Sequence, residues 1–125
     1  MAKTIKIGVL GLRRGKSFVR SAQAFEDAEI AALCDRDERA LAEGHSIAPE
    51  AALFHSYQDM LKEELDAVIL CNYCPDHALA AIEAMKAGKH VLSEVTACST
   101  LAEGVALART IEETGRVYML AENYC

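Results

Sequence analysis

The chain has 125 residues, enough for one domain that buries roughly two-thirds of the surface its unfolded form exposes. Its formal charge is −6; that acidic balance argues against a nucleic-acid backbone or an anionic membrane surface as the main partner, and no apolar run reaches the length of a membrane span. The five cysteines lack the spacing of a disulfide framework and fit a reducing, cytoplasmic setting, while the short apolar run in MAKTIKIGVLG, followed by Arg13 and Arg14, is neither a signal nor a transit peptide.

IKIGVL (Ile5–Leu10) predicts a buried strand. A loop over Gly11–Lys16 follows, then a helix over Ser17–Ala24. EIAALC (Glu29–Cys34) predicts the second strand, and Asp37 to about Ala48 a charged, alanine-rich helix that stops before Pro49. A short strand at Ala52–Phe54 and a short helix at Tyr57–Lys62 come next. DAVILC (Asp66–Cys71) is the strongest strand pattern. Pro75 opens a helix to about Ala87, with Gly88 as its C′ residue and Ala78, Ile82 and Met85 along one face. HVLSE (His90–Glu94) predicts the fifth strand. Thr100-Leu-Ala-Glu103 is a capping box, and the helix behind it carries Leu101, Val105, Ala108 and Ile111 as an apolar stripe before Gly115 ends it. VYMLA (Val117–Ala121) is the last strand.

These strands are apolar on both faces and alternate with helices. That combination predicts one α/β domain over residues 1–125, with six strands in a doubly wound, mostly parallel sheet and helices on both faces.

The stretch GVLGLRRGKS (Gly8–Ser17) fits neither common phosphate-binding pattern. A P-loop needs its first glycine where Leu10 stands. A dinucleotide loop starting at Gly11 needs glycines where Arg13 and Lys16 stand. The position still makes an anion site, because a loop between a strand's carboxyl end and a helix N-terminus presents free N–H groups and the positive end of the helix dipole. Asp35, 24 positions after Gly11 and at the end of the second strand, suits the acid that holds an adenosine ribose. An aspartate there also suits Mg²⁺ in a P-loop protein. Loop length decides for the dinucleotide, since the P-loop is one residue short. Gly11, Leu12, Arg13, Arg14 and Gly15 are then the pyrophosphate loop, with Gly15 restoring the close approach that Arg13 denies. Two readings of Arg13 and Arg14 fit, direct contact with phosphate or solvated loop residues. Asp35 favours NAD; Arg36 beside it leaves NADP open.

AALCDRDERA (Ala31–Ala40), AGKHVLSE (Ala87–Glu94) and STLAEGVALARTIEETGRVYMLAENY (Ser99–Tyr124) together resemble the Gfo/Idh/MocA oxidoreductases over nearly the whole chain. The resemblance implies an NAD(P)-binding Rossmann fold, normally followed by a domain that binds a small sugar-like substrate and forms oligomers. That second domain has no counterpart in these residues, so the resemblance implies a fragment inactive by itself. Carried over position by position, Asn72 and Tyr73 stand where the family has Thr-Pro, and His77 stands at its histidine. Glu94 matches the cofactor-contacting glutamate, and Asn123 an asparagine near the nicotinamide. Val95 stands where the family has a catalytic lysine. The family's NAD-retaining glycosidases also resemble the chain at Glu94-Val95, so glycoside cleavage by transient oxidation is an alternative to net dehydrogenation. A stand-alone module that senses NAD or binds a protein is the alternative from another class. Without a partner domain, the carboxyl-end surface is expected to carry exposed apolar area and to favour self-association.

Cys71-x-x-Cys74, with His77 and His90, can be drawn as a redox pair or a zinc site. No second ligand pair has zinc spacing, and packing thiols are the plainer reading, so no metal is expected. His45 and His55 receive no role.

Overall fold

A computed structural model describes residues 3–122. Six parallel strands form one sheet in the order β3-β2-β1-β4-β5-β6: β1 Ile5–Leu10, β2 Ala28–Cys34, β3 Ala52–Phe54, β4 Ala67–Leu70, β5 His90–Glu94 and β6 Tyr118–Ala121. The longer helices are α1 Leu12–Ala22, α2 Glu38–Ile47, α4 His77–Lys86 and α5 Leu101–Thr114; α3 Tyr57–Met60 is a single turn, and a 3-10 turn spans Cys74–Asp76.

The chain winds outward from β1 through β2 to β3, then returns to β4 on the other side of β1 and winds out again. Helices α1 and α2 therefore pack together on one face, over a core of Val9, Leu12, Val19, Leu33 and Leu41. Helices α4 and α5 pack on the other, over Val68, Leu70, Ala81, Met85 and Leu107. The doubly wound prediction holds, and the reversal of strand order falls between β1 and β4, where such sheets place their ligands.

Register fixes which residues meet there. Leu10 lies opposite Cys34 and Leu70, Cys34 opposite Phe54, and Leu70 opposite Ser93. The residues one step further, Gly11, Asp35, His55, Cys71 and Glu94, thus form a row along the carboxyl edge. The Gly11 N–H donates to Cys34 O at 2.9 Å, and the Cys71 N–H to Leu10 O at 2.7 Å, which ties the row together.

Two expectations are corrected. Helix α1 begins at Leu12, five residues before the predicted start at Ser17, because the Gly15 N–H already donates to Gly11 O at 3.1 Å and closes the first turn. On α5 the buried side chains are Leu107 and Thr110, with Ile111 partly buried against the same core. Leu101 is 86% exposed and Val105 is exposed as well. The helix is rotated so that Gly104 comes under Cys98; a Cβ on Gly104 would lie 3.2 Å from Cys98 Sγ. Val117, Met119 and Leu120 on and beside the edge strand β6 are also exposed. The capping box forms as predicted: Thr100 Oγ1 accepts the Glu103 N–H, and Glu103 Oε1 accepts the Thr100 N–H.

Candidate functional site

A cleft of about 880 Å³ opens at the carboxyl edge. Gly11, Arg13 and Arg14 form one wall, Asp35 and Arg36 a second, and Asn72 with Tyr73 a third. The turn from β1 into α1 is Gly11 alone. Its φ of 87° lies in the region that side chains disfavour, and a Cβ there would sit 2.5 Å from Cys71 C and 2.6 Å from Asn72 N. Only glycine lets β1 turn this close to the end of β4.

Gly11 is also the N-cap of α1, and it offers no side chain to the helix. The Leu12 N–H donates to Asp35 Oδ2 at 2.7 Å. Gly15 is satisfied by Gly11 O. The N–H groups of Arg13 and Arg14 are then the ones that the helix cannot satisfy itself, and both residues line the cleft. No acidic residue stands in the first turn, whereas two arginines do. Cations at the positive end of a helix are unfavourable unless anions neutralise them. Asp37 and Glu94 do so in part. Arg13 Nη2 donates to Asp37 Oδ2 at 3.0 Å, and Arg14 Nε to Glu94 Oε1 at 2.8 Å.

The two arginines therefore point apart, Arg13 toward the end of β2 and Arg14 toward the end of β5. Glu94 is 7% exposed. Burial pushes its carboxyl up, but Arg14 and the Val95 N–H, which donates to Glu94 Oε2 at 3.0 Å, outweigh burial and hold it below the usual glutamate range.

Several expected site residues lie elsewhere than a loop would place them. Leu12 is fully buried in the core, so only its backbone faces Asp35. Gly15 is inside α1 and buried; a Cβ there would meet Val9 Cγ1 at 2.8 Å, so this glycine serves close helix–strand packing. Lys16 pairs with Glu43 of α2 and Ser17 Oγ donates to Arg14 O, which removes both from the phosphate duties of a P-loop. His77 is 1% exposed and set back from the cleft. Its Nδ1 lies 3.0 Å from Thr96 O and its Nε2 2.9 Å from Asn72 O, so the ring ties the loops after β4 and β5 together. Asn72 Oδ1 is buried beside the cleft without a hydrogen-bond partner. Tyr73 is well exposed. Asn123 lies outside the described residues.

His55 was missed in sequence. It lines the cleft, with Nδ1 3.1 Å from Asp35 O and Nε2 3.0 Å from Glu38 Oε1. Only the pairing of β3 with β2 brings it there, so no local pattern could have found it.

Cys71 is buried at the end of β4, and burial, aided by the charge of Glu94, pushes its thiol up to about 12; burial likewise pushes Cys34 up to about 11. Neither is a thiolate near neutrality, and no group of three metal-ligating side chains occurs among the described residues. With an aromatic disulfide reagent at about pH 8, Cys34 and Cys71 should stay unreacted in the folded chain while exposed Cys74 reacts. Rapid modification of Cys71, located by mass spectrometry, would return the Cys-x-x-Cys pair to consideration as a redox site.

A glycine turn at the reversal point of a 3-2-1-4-5-6 sheet, an uncapped helix N-terminus and an acid closing β2 define a dinucleotide-binding Rossmann domain. The model of the Gfo/Idh/MocA group, described as an oxidoreductase family with an NAD-binding Rossmann fold, matches residues 5–122. The chain belongs to that family and is its NAD-binding domain.

Among curated relatives, a glycosyl hydrolase family 109 protein of Shewanella sp. (strain ANA-3) is 35% identical over 132 residues, covering 97% of this chain and 29% of its own length. A glycosyl hydrolase family 109 protein of Solibacter usitatus is 34% identical over 98% of this chain and 31% of its own. Among solved structures, apo scyllo-inositol dehydrogenase from Lactobacillus casei superposes with a TM-score of 0.90 at 26% identity, over 97% of this chain and 37% of that one. The WlbA dehydrogenase of Bordetella pertussis, in complex with NADH and UDP-GlcNAcA, gives 0.86 at 27%, over 97% and 36%. The chain thus spans about a third of the length of the relatives it matches. No helix among the described residues is long and apolar enough to cross a membrane.

Proposed function

We propose that the cleft binds NAD with its pyrophosphate at Gly11 and the free N–H groups of Arg13 and Arg14, and its adenosine ribose on Asp35. The observation that carries this is the uncapped, doubly cationic start of α1 beside an acid at the end of β2. Arg14 and Glu94 lie on the β5 side, which we assign to the nicotinamide half, and Asn72, whose Oδ1 is an unsatisfied acceptor, lines the same cleft. Bound NAD would supply hydride acceptance at the nicotinamide ring.

In the whole protein we place a sugar or cyclitol as the hydride donor, and we place the protein in the cytoplasm, where its thiols stay reduced. Val95, exposed after Glu94, has no titratable group. The substrate's hydroxyl proton is therefore taken by a group other than this side chain, or the protein runs different chemistry.

A second reading has its own support. The family 109 relatives are about a third identical to this chain over the segment that aligns, and Val95 removes the lysine that net dehydrogenation would use. Under that reading bound NAD would supply a transient oxidation, with hydride taken from the glycoside and later returned, and water would replace the departing aglycone in between.

Calorimetry tests the cleft: heat on titration with NAD is expected, and no heat with NAD or NADP on a folded sample would overturn the assignment. The full-length protein separates the chemistries. Net NADH from a free sugar or cyclitol supports dehydrogenation, whereas aglycone release without NADH accumulation supports cleavage.

A further inference from the structure

The acid at the end of β2 is linked to Arg13 through Asp37. Asp35 Oδ2 accepts the Leu12 N–H, and its Oδ1 accepts the Asp37 N–H at 2.9 Å. From these two neighbours the chain extends an ion pair across the end of the β1–β2 gap, the Arg13–Asp37 contact at 3.0 Å. Asp37 is held from two sides. Its Oδ1 accepts the Arg39 N–H at 2.9 Å and caps α2, while its Oδ2 takes Arg13. The hydrogen bond from Arg13, then that from Arg39, hold its carboxyl below the usual range, so it is charged at any pH used to measure binding. The Arg13 side chain is 84% exposed. An ion pair this exposed contributes little to stability. Its consequence falls on whatever occupies the cleft that Arg13 lines.

A guanidinium is the side chain best shaped to grip a phosphate, with two parallel N–H donors. Arg13 lines the same cleft as Asp35 and pairs with the residue two positions after it, on the side where a phosphate on the 2′ oxygen of a ribose held by Asp35 would need a cation. We propose that Asp37 is a specificity-determining residue: by occupying the Arg13 guanidinium, and by adding its own charge to that of Asp35, it withholds the cation that a 2′-phosphate needs and so favours NAD over NADP. This rests on the reading of the cleft as an NAD site and goes beyond it, since it assigns the discrimination to a pair rather than to Asp35 alone.

Asp37→Asn tests it. Asparagine still accepts the Arg39 N–H and caps α2, but it cannot hold Arg13 by charge. Dissociation constants for NAD and NADP are measured by calorimetry on the 125-residue chain, its Asp37→Asn variant, and the double variant Arg13→Ala/Asp37→Asn. The NADP-to-NAD affinity ratio should rise about tenfold in Asp37→Asn, the scale of one charge-assisted phosphate contact, and fall back in the double variant. Should Asp37→Asn melt early, Asp37→Ser, which also caps a helix, takes its place. A ratio unchanged in the single variant while the wild type binds NAD would overturn the proposal alone. A ratio that rises equally in the double variant would also overturn it, because Arg13 would then be irrelevant. A wild type that binds neither dinucleotide would overturn the cleft assignment itself, and this proposal with it.

Discussion

Gly11→Ala should abolish measurable NAD binding and destabilise the chain by about 3 kcal/mol. Two effects add. At a φ of 87° an alanine is strained by about 1–2 kcal/mol. Its Cβ would also press on backbone, the carbonyl of Cys71 and the Asn72 nitrogen, and backbone cannot rotate away as a side chain can. Relief requires β1 and β4 to part at their carboxyl ends, where Cys71 N–H to Leu10 O is among the shorter backbone bonds at 2.7 Å. Parting them moves the Arg13 and Arg14 N–H groups to which the proposal assigns the pyrophosphate. Urea unfolding checks the first effect and calorimetry the second. An alanine variant with the wild-type unfolding midpoint and affinity would show that the turn is not the pyrophosphate seat.

The strands, two helix C-termini and one helix start were legible because local chemistry sets them. Unbroken apolar runs marked β1, β2, β4 and β5. Gly88 and Gly115, placed as helix terminators by residue type, have φ values of 83° and 64°. The capping box at Thr100 forms from residues three apart.

What was not legible depends on partners distant in sequence. Arg13 and Arg14 lack every helix-start preference, so Gly11–Lys16 read as a loop. They are helical because Asp35 accepts the Leu12 N–H while Asp37 and Glu94 pair with the two arginines, across 23, 24 and 80 positions. The α5 stripe failed for a related reason. Its sequence offers two faces of similar polarity, and close approach over Gly104 selects the one with Leu107 and Thr110. Gly15 shows the limit of motif matching: its spacing suggested phosphate approach, and its contact with Val9 shows packing. His55 reached the cleft only through the β2–β3 pairing.

Asp35→Ala should weaken NAD binding by between about 10-fold and 100-fold, the loss expected for hydrogen bonds to a charged acceptor. Arg36→Ala should cost no more than about threefold, the scale of an exposed charge. The aspartate carries two loads. In the proposed complex it accepts the ribose hydroxyls, and its two oxygens already accept Leu12 N–H and Asp37 N–H, which starts α1 and orients the N-cap of α2. Alanine leaves both donors without this acceptor, so stability should also fall by about 1–2 kcal/mol. Asparagine separates the loads poorly, and this makes it informative. An amide has one oxygen, so its NH₂ must face one of the two backbone N–H groups, donor against donor. Asp35→Asn should therefore lose nearly as much affinity as Asp35→Ala despite its matching shape. If asparagine instead binds NAD like the wild type, ribose recognition needs only a polar contact at this position. If Arg36→Ala proves the more damaging change and NADP the tighter ligand, the cleft is tuned to a 2′-phosphate, and Arg36 rather than Asp35 reads the ribose.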